Sequence, residues 1–212
     1  MTCAICDTRK GKRSCPAKSA KICPGCCGSQ REVSIVCPLD CKYLLEARER
    51  DFSRNEPGEL PYSDIDADNS FLRERELLVD ATGRAVGEAS LSVAGATDAD
   101  VRDALDALVQ TYKTLSGGIY YDVKPESSFA RSIADSVKAT IEELRKAETE
   151  ESGLTQTRDS DVMKALVFWL HAATVHDNRR ARGRAFLSLL VNQFGVENPA
   201  GSAASQLIVP GV

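Results

Sequence analysis

The chain has 212 residues and a formal net charge of −4, with 42% hydrophobic and 27% charged side chains. This length allows one ordinary domain plus a small module, and the composition is that of a soluble globular protein. No apolar run approaches the ~18 residues of a membrane helix, and the N-terminus lacks the apolar segment of a secretory signal. We therefore predict a cytoplasmic protein with no membrane partner, a compartment where clustered cysteines are metal ligands more often than disulfides.

All eight cysteines lie in the first 41 residues: Cys3, Cys6, Cys15, Cys23, Cys26, Cys27, Cys37 and Cys41. Two Cys-x2-Cys pairs and one Cys-x3-Cys pair have the spacing of zinc ligands, because such turns let two thiolates converge on one ion. Eight thiolates fill two four-cysteine sites and leave no position for water. We therefore predict two structural Zn²⁺ ions per chain. Disulfides, or an iron–sulfur cluster that would use only four thiols, are the less favoured alternatives.

The segments between the cysteines predict the local fold. Residues Arg31–Val36 alternate polar and apolar side chains, which is typical of a short strand. The following segment, residues 37–52, reads as a helix that begins on the ligands Cys37 and Cys41. A ligand pair, a strand and then a helix carrying two ligands is the order of a treble-clef finger, which we place at residues 1–53.

The cysteine pattern resembles the HIT and MYND classes of cross-braced zinc finger, in which a Cys-x3-Cys opens a short helix. It is also similar to the N-terminal module of uncharacterised bacterial proteins that share the sequences "CCG", "REV" and "CPLDC". The resemblance implies a treble-clef-like fold with structural zinc. HIT and MYND fingers have further ligands after that helix, whereas this chain has none, so the pairing of ligands stays open.

Two pairings of the cysteines are compatible with the spacing. In the first, which we favour, Cys23, Cys26, Cys37 and Cys41 hold one ion, and Cys3, Cys6, Cys15 and Cys27 hold the other. In the second, Cys3, Cys6, Cys37 and Cys41 hold one ion, and the remaining four hold the other. The first pairing avoids chelation of a single ion by two adjacent cysteines, which would strain a tetrahedral site.

Positive charge is concentrated around these cysteines. Residues 1–45 contain eight basic and three acidic side chains, and Arg9, Lys10, Lys12 and Arg13 lie between Cys6 and Cys15. This segment resembles the basic segment of fungal binuclear zinc clusters, which implies DNA binding. A zinc ion with four thiolates has a formal charge of −2, however, so the cations could simply offset the thiolates.

The rest of the chain predicts an acidic, proline-containing linker at residues 54–69, an α-helical bundle at 70–196 and a poorly ordered tail at 197–212. About five helices are expected. The apolar stripes that predict them are Leu72/Val79/Val86/Val93, Val101/Leu105/Leu108/Tyr112/Leu115, Ile133/Val137/Ile141/Leu144, the nearly all-apolar 159–176, and Phe186/Leu190/Phe194. Residues 147–157 read as a mobile loop. Gly83 and Gly87, one turn apart, indicate close helix packing rather than a phosphate loop.

The bundle has no sequence signature of catalysis. His171 and His176 are five residues apart, about 140° around a helix, and do not form a two-ligand face. No nucleophile elbow, Walker or dinucleotide motif is present, so we predict that the chain is not an enzyme.

Four arginines stand out in the bundle, at positions 179, 180, 182 and 184. Cations oppose the dipole at the start of the helix that follows them, so Arg179, Arg180, Arg182 and Arg184 could face nucleic acid, protein carboxylates or the chain's own linker. A solvated turn between two helices is the simpler interpretation.

We predict a small cysteine-rich treble-clef-like module followed by an all-α bundle, acting as an adaptor that binds another protein. The alternative is a nucleic-acid-binding regulatory protein that uses the basic residues of both parts.

Overall fold

The computed structural model describes residues 1–52 and 59–196 of the chain. Within them, a small cysteine-rich module precedes an α-helical bundle, which confirms the predicted fold class. No helix in these two ranges combines the length and apolar composition needed to cross a bilayer. The predicted tail and the start of the predicted linker lie outside the described residues.

The module contains a β-hairpin and two helices. Its elements are β1 (Arg13–Cys15), β2 (Ala20–Ile22), α1 (Pro24–Gln30) and α2 (Lys42–Phe52). The strands are antiparallel, with Arg13 opposite Ile22, and a 3₁₀ turn joins them. The chain thus runs from a Cys-x2-Cys turn through a hairpin into a helix that starts on a second Cys-x2-Cys pair. The prediction placed the ligand-bearing helix at residues 37–52, starting on Cys37 and Cys41. In the structure α2 begins at Lys42, after both cysteines, and the helix that starts on a ligand pair is α1.

The predicted strand at Arg31–Val36 was wrong. The segment forms a tight turn closed by a single bridge between Arg31 and Ile35. Three consecutive backbone N–H groups, those of residues 33, 34 and 35, all donate to the Gln30 carbonyl at 3.0–3.1 Å. Glu32 has a left-handed φ of 52°, which reverses the chain. The last carbonyl of α1 therefore accepts hydrogen bonds from N–H groups that, in a strand, would have to donate to a neighbouring strand.

Six helices form the bundle within the described residues: α3 (Asn69–Glu74), α4 (Glu76–Ser92), α5 (Asp98–Ser116), α6 (Ser128–Ser152), α7 (Asp159–Val175) and α8 (Ala185–Phe194). The five longer helices correspond to the five expected. α5 packs against α6 and α7, and α4 packs against α6, α7 and α8. A capping box begins α5, in which Thr97 and Asp100 each accept a hydrogen bond from the other's backbone N–H.

The mobile loop predicted at residues 147–157 was wrong over its first half. α6 continues to Ser152 and ends at Gly153, whose φ of 74° suits glycine. The carboxylate of Glu148 then accepts hydrogen bonds from the Gln156 and Thr157 backbone N–H groups and from the Thr157 hydroxyl. This carboxylate folds the connection back onto the helix, and glutamate and alanine in the segment extend α6 because they are good helix formers.

Gly83 lies where α4 and α7 pack closely. The indole N–H of Trp169 donates to the Val79 carbonyl at 2.9 Å, so the edge of the ring lies against the α4 backbone. A Cβ atom at Gly83 would lie 2.2 Å from Cζ2 of Trp169 and 2.8 Å from Cε2 of Phe194. The predicted role of this glycine in helix packing is confirmed.

The two glycines of α4 give a matched test of this packing. Gly83→Ala should lower the free energy of unfolding by about 1–3 kcal/mol, because the rigid indole must move away from the new methyl group. At Gly87 the nearest atom to an added Cβ is 3.4 Å away, so Gly87→Ala should leave stability unchanged or raise it by up to ~1 kcal/mol through helix propensity. Urea denaturation followed by circular dichroism measures both. Equal effects of the two substitutions would contradict this account.

Candidate metal centre

Four cysteines from two separate turns meet in the module. The sulfur atoms of Cys3, Cys6, Cys23 and Cys26 all lie within 4.8 Å of one another. The first pair lies in a turn closed by a hydrogen bond from the Asp7 N–H to the Cys3 carbonyl. In the second pair, Cys23 is the N-cap residue of α1 and Cys26 lies in its first turn. The hairpin between the pairs brings them together, since the Ala4 N–H donates to the carbonyl of residue 21 in β2.

Backbone and side-chain donors point at these sulfurs. The Cys23 N–H donates to Sγ of Cys3 at 3.1 Å, and the Cys26 N–H donates to Sγ of Cys23 at 3.3 Å. The guanidinium of Arg9 lies 3.8 Å from Sγ of Cys26. Donors of this kind stabilise thiolates, which are the form of cysteine that binds metal.

The pKa values of Cys6 and Cys26 are shifted in opposite directions in the absence of metal. Hydrogen bonds from the Thr8 side chain, and then from the backbone of Arg9 and Thr8, lower the pKa of Cys6 to about 5. A hydrogen bond to the Cys23 sulfur, together with burial, raises the pKa of Cys26 to about 12. A metal ion that binds four thiolates would displace the protons that remain on these sulfurs.

The donor set fits a structural zinc site. Four thiolates complete a tetrahedron around Zn²⁺ and leave no position for water or substrate. Cys3, Cys23 and Cys26 are buried and Cys6 is half-buried, and all eight cysteines of the chain are free thiols rather than disulfides. The prediction of metal-binding cysteines is confirmed for this set of four, which is consistent with a single zinc ion.

Neither of the two pairings compatible with the spacing describes this cluster. Both predicted pairings placed Cys3 and Cys6 apart from Cys23 and Cys26, whereas the structure joins these two pairs. The hairpin brings the two cysteine pairs together and could have revealed this pairing. Its strands are only three residues long, however, too short to show a period-2 alternation of polar and apolar residues. The other four predicted ligands, Cys15, Cys27, Cys37 and Cys41, do not belong to the cluster.

The predicted basic residues of the module divide into two groups. Arg9 lies against Cys26, and a guanidinium nitrogen of Arg13 lies 3.3 Å from Sγ of Cys27. Lys10 and Lys12 are exposed. The two arginines thus provide positive charge next to sulfur, as expected if the cations offset the thiolates.

The arginines of the bundle also divide into two groups. Arg180 donates to the Arg31 carbonyl at 2.7 Å and to the Gly28 carbonyl at 3.2 Å, and so covers the end of α1. Arg184 is half-buried, and burial lowers the pKa of its guanidinium. Arg179 and Arg182 are exposed. The cluster therefore lies next to the module, a neighbour that its sequence did not indicate.

A buried carboxylate joins the module to the bundle. Glu32 is 2% exposed, and its carboxylate accepts hydrogen bonds from the Arg48 guanidinium at 2.7 Å, the Asn178 amide at 2.8 Å and the Arg184 N–H at 3.0 Å. Its carbonyl accepts from the Arg182 N–H at 2.8 Å. We call this group the Glu32 contact. Sequence reasoning missed it, because the residues that pair with Glu32 are distant along the chain.

The two histidines occupy different environments at α7. His171 Nε2 lies 2.6 Å from the Pro61 carbonyl and holds the predicted linker against α7. Burial lowers the pKa of His176, which follows the end of α7. Neither histidine belongs to the cysteine cluster found among the described residues. Comparison of the chain with known protein families, curated proteins and solved structures finds no match.

The Glu32 contact can be tested through stability. Removing one partner of a buried ion pair leaves the other charge unpaired, so Glu32→Ala should lower the free energy of unfolding by about 3 kcal/mol. Glu46→Ala is the matched control, because this glutamate lies on the exposed side of α2 and its backbone carbonyl, which the substitution keeps, accepts the hydrogen bond from the Arg50 side chain. Denaturant titration should separate the two variants clearly. A loss below ~0.5 kcal/mol for Glu32→Ala would show that the contact does not join the two parts.

Proposed function

We propose that the chain is a non-enzymatic zinc-binding adaptor, in which metal shapes a surface that binds another protein. The ion at Cys3, Cys6, Cys23 and Cys26 is Zn²⁺ under this proposal, since a closed set of four thiolates suits a structural zinc. Two zinc ions per chain, as the eight cysteines predict, remain part of the proposal. A site with no open position for water offers no place for metal-assisted hydrolysis, and this supports a binding role.

The observation that carries the proposal is an apolar groove between the module and α8. Its volume is about 600 Å³. Its apolar walls include Val36, Pro38, Leu39 and Leu45 from the module and Val191 from α8. The lining is completed by Cys37 and by the polar side chains of Asp40, Arg184, Ser188 and Asn192. A second recess of about 330 Å³ also borders Leu45 and Ser188, so the groove continues along α2. We call the whole feature the module–α8 groove.

The groove leaves large apolar side chains in contact with water. Val36 is 50% exposed and Leu45 is 40% exposed, although both lie in a module with a small core. Clustered exposed apolar side chains are typical of surfaces that bind protein segments. We therefore expect the partner to present apolar anchor residues that enter this groove. Since one wall belongs to the module, binding should depend on metal.

The nucleic-acid alternative has less support from the same contacts. Arg9 and Arg13 lie against sulfur, and Arg180 is held by carbonyl groups of the module. The exposed cations among the predicted set are Arg9, Lys10, Lys12, Arg179 and Arg182, and Arg9 is turned toward a cysteine sulfur. Phosphate binding needs accessible cations that face one ligand. Four of the eight proposed contacts are therefore both exposed and free of a sulfur contact, whereas the groove has no competing occupant among the described residues.

Site-specific photocrosslinking in the protein's own cells tests the proposal. A photoreactive residue in place of Val36 should yield a discrete protein adduct that survives nuclease treatment, and a second substitution, Leu45→Asp, should abolish it. Val33 is the matched control site, because it is 45% exposed yet does not line the groove. Equal labelling from positions 33 and 36, or an adduct that nuclease removes, would contradict a protein-binding groove. The second outcome would favour nucleic acid.

A further inference from the structure

Four cysteines outside the metal centre surround one small cavity. Cys15 lies at the end of β1, Cys27 in α1, Cys37 in the segment after the Glu32 turn, and Cys41 next to the start of α2. Cys15, Cys27 and Cys37 are each 8% exposed and Cys41 is half-buried. The cavity's volume is about 10 Å³. This is close to the space that a single water molecule or small ion occupies.

The position of Cys27 shows that this set is separate from the first. Cys26 and Cys27 are adjacent in α1, and successive side chains of a helix project about 100° apart. Cys26 joins the sulfur cluster of Cys3, Cys6 and Cys23, whereas Cys27 lines the second cavity. One short helix thus directs two neighbouring thiols to two different places. Cys26 and Cys27 therefore do not have to bind the same ion, which would strain a tetrahedral site.

The second cavity combines sulfur atoms with apolar walls. Arg13 approaches Sγ of Cys27 at 3.3 Å while its guanidinium lies 4.8 Å from the centre of the Tyr43 ring. The remaining walls include Ile22, Ile35 and Leu44, which are 1–2% exposed. A small buried cavity lined by four cysteines offers the ligand set of a closed zinc site.

We infer that Cys15, Cys27, Cys37 and Cys41 form a second metal site, which takes a thiophilic divalent cation and, in the cell, Zn²⁺. Binding forms four Zn–S bonds and releases the thiol protons to solvent, with nothing oxidised or reduced. Among the described residues, only the first set has all its sulfurs within 4.8 Å of one another. The second set must therefore contract onto its ion, since Zn–S bonds of about 2.3 Å place tetrahedral sulfurs about 3.8 Å apart.

The second ion would hold the part of the module that builds the module–α8 groove. Cys37 and Cys41 flank Pro38 and Leu39, which form one wall of that groove. Their anchors, Cys15 and Cys27, belong to the hairpin and α1, which the first ion already fixes. The inference stands on its own contacts and does not depend on whether the groove binds a protein.

Metal counting on the full chain tests the inference. Protein purified under reducing conditions without added metal should contain two zinc ions by elemental analysis and native mass spectrometry. Cys41→Ser should lose one ion, Cys6→Ser should lose the other, and the double variant should contain none. Serine keeps the size of cysteine but replaces the thiolate that zinc prefers. One zinc ion in the wild-type chain, or a mass lowered by a disulfide, would overturn the proposal.

A second measurement covers the case in which Cys41→Ser fails to fold. Alkylation of the wild-type chain, mapped by mass spectrometry, compares Cys41 with Cys6, the two half-buried thiols of the two sets. Zinc-loaded protein should protect both residues, and removal of zinc by a chelator should increase labelling of both. Zinc-dependent protection of Cys6 together with unchanged labelling of Cys41 would show that no ion binds at the second set.

Discussion

Four sulfur atoms within 4.8 Å of one another repel as thiolates unless a cation lies between them. Folding of the module depends on this constraint, because few apolar side chains besides cysteine are buried there, among them Ile22, Ile35 and Leu44. A core of that size supplies little stability, so small modules of this kind usually depend on metal. The hairpin and α1 are consequently arranged around the four cysteines of the cluster, three of which are buried.

The Glu32 contact extends the consequences of metal binding into the bundle. The carboxylate belongs to the turn after α1, while its partners Asn178 and Arg184 lie in the connection from α7 to α8. That connection continues into α8, whose first N–H groups donate to the buried carboxylate of Asp98 in α5. A chain of buried polar contacts therefore runs from the module to the centre of the bundle, and the two parts share more than a linker.

The sequence was sufficient for the apolar stripes of the bundle helices and for cysteine as the metal ligand, because both signals are local. It missed α1 and the end of α6. The capping box at Thr97 and the apolar stripe of α7 each lie within one element. The ligand pairing and the turn at Glu32 were missed because distant residues determine them. The alternation of polar and apolar residues in Arg31–Val36 imitated a strand. In the fold, side chains from α2 and from the α7–α8 connection bury the polar Glu32, while the apolar Val33 is exposed. Three-residue strands likewise carry too little pattern to reveal which cysteines they bring together.

The position of Trp169 makes the protein its own optical sensor. It is the chain's only tryptophan, and it is 6% exposed between α4 and the rings of Phe186 and Phe194. Its emission therefore reports the environment of α7 and α8. The cysteine module contains no tryptophan and does not contribute to this emission. A change in emission when a chelator removes metal would have to reach the indole through the contacts that link the module to α8. Fluorescence can thus follow, in real time, how far the loss of an ion propagates through the fold.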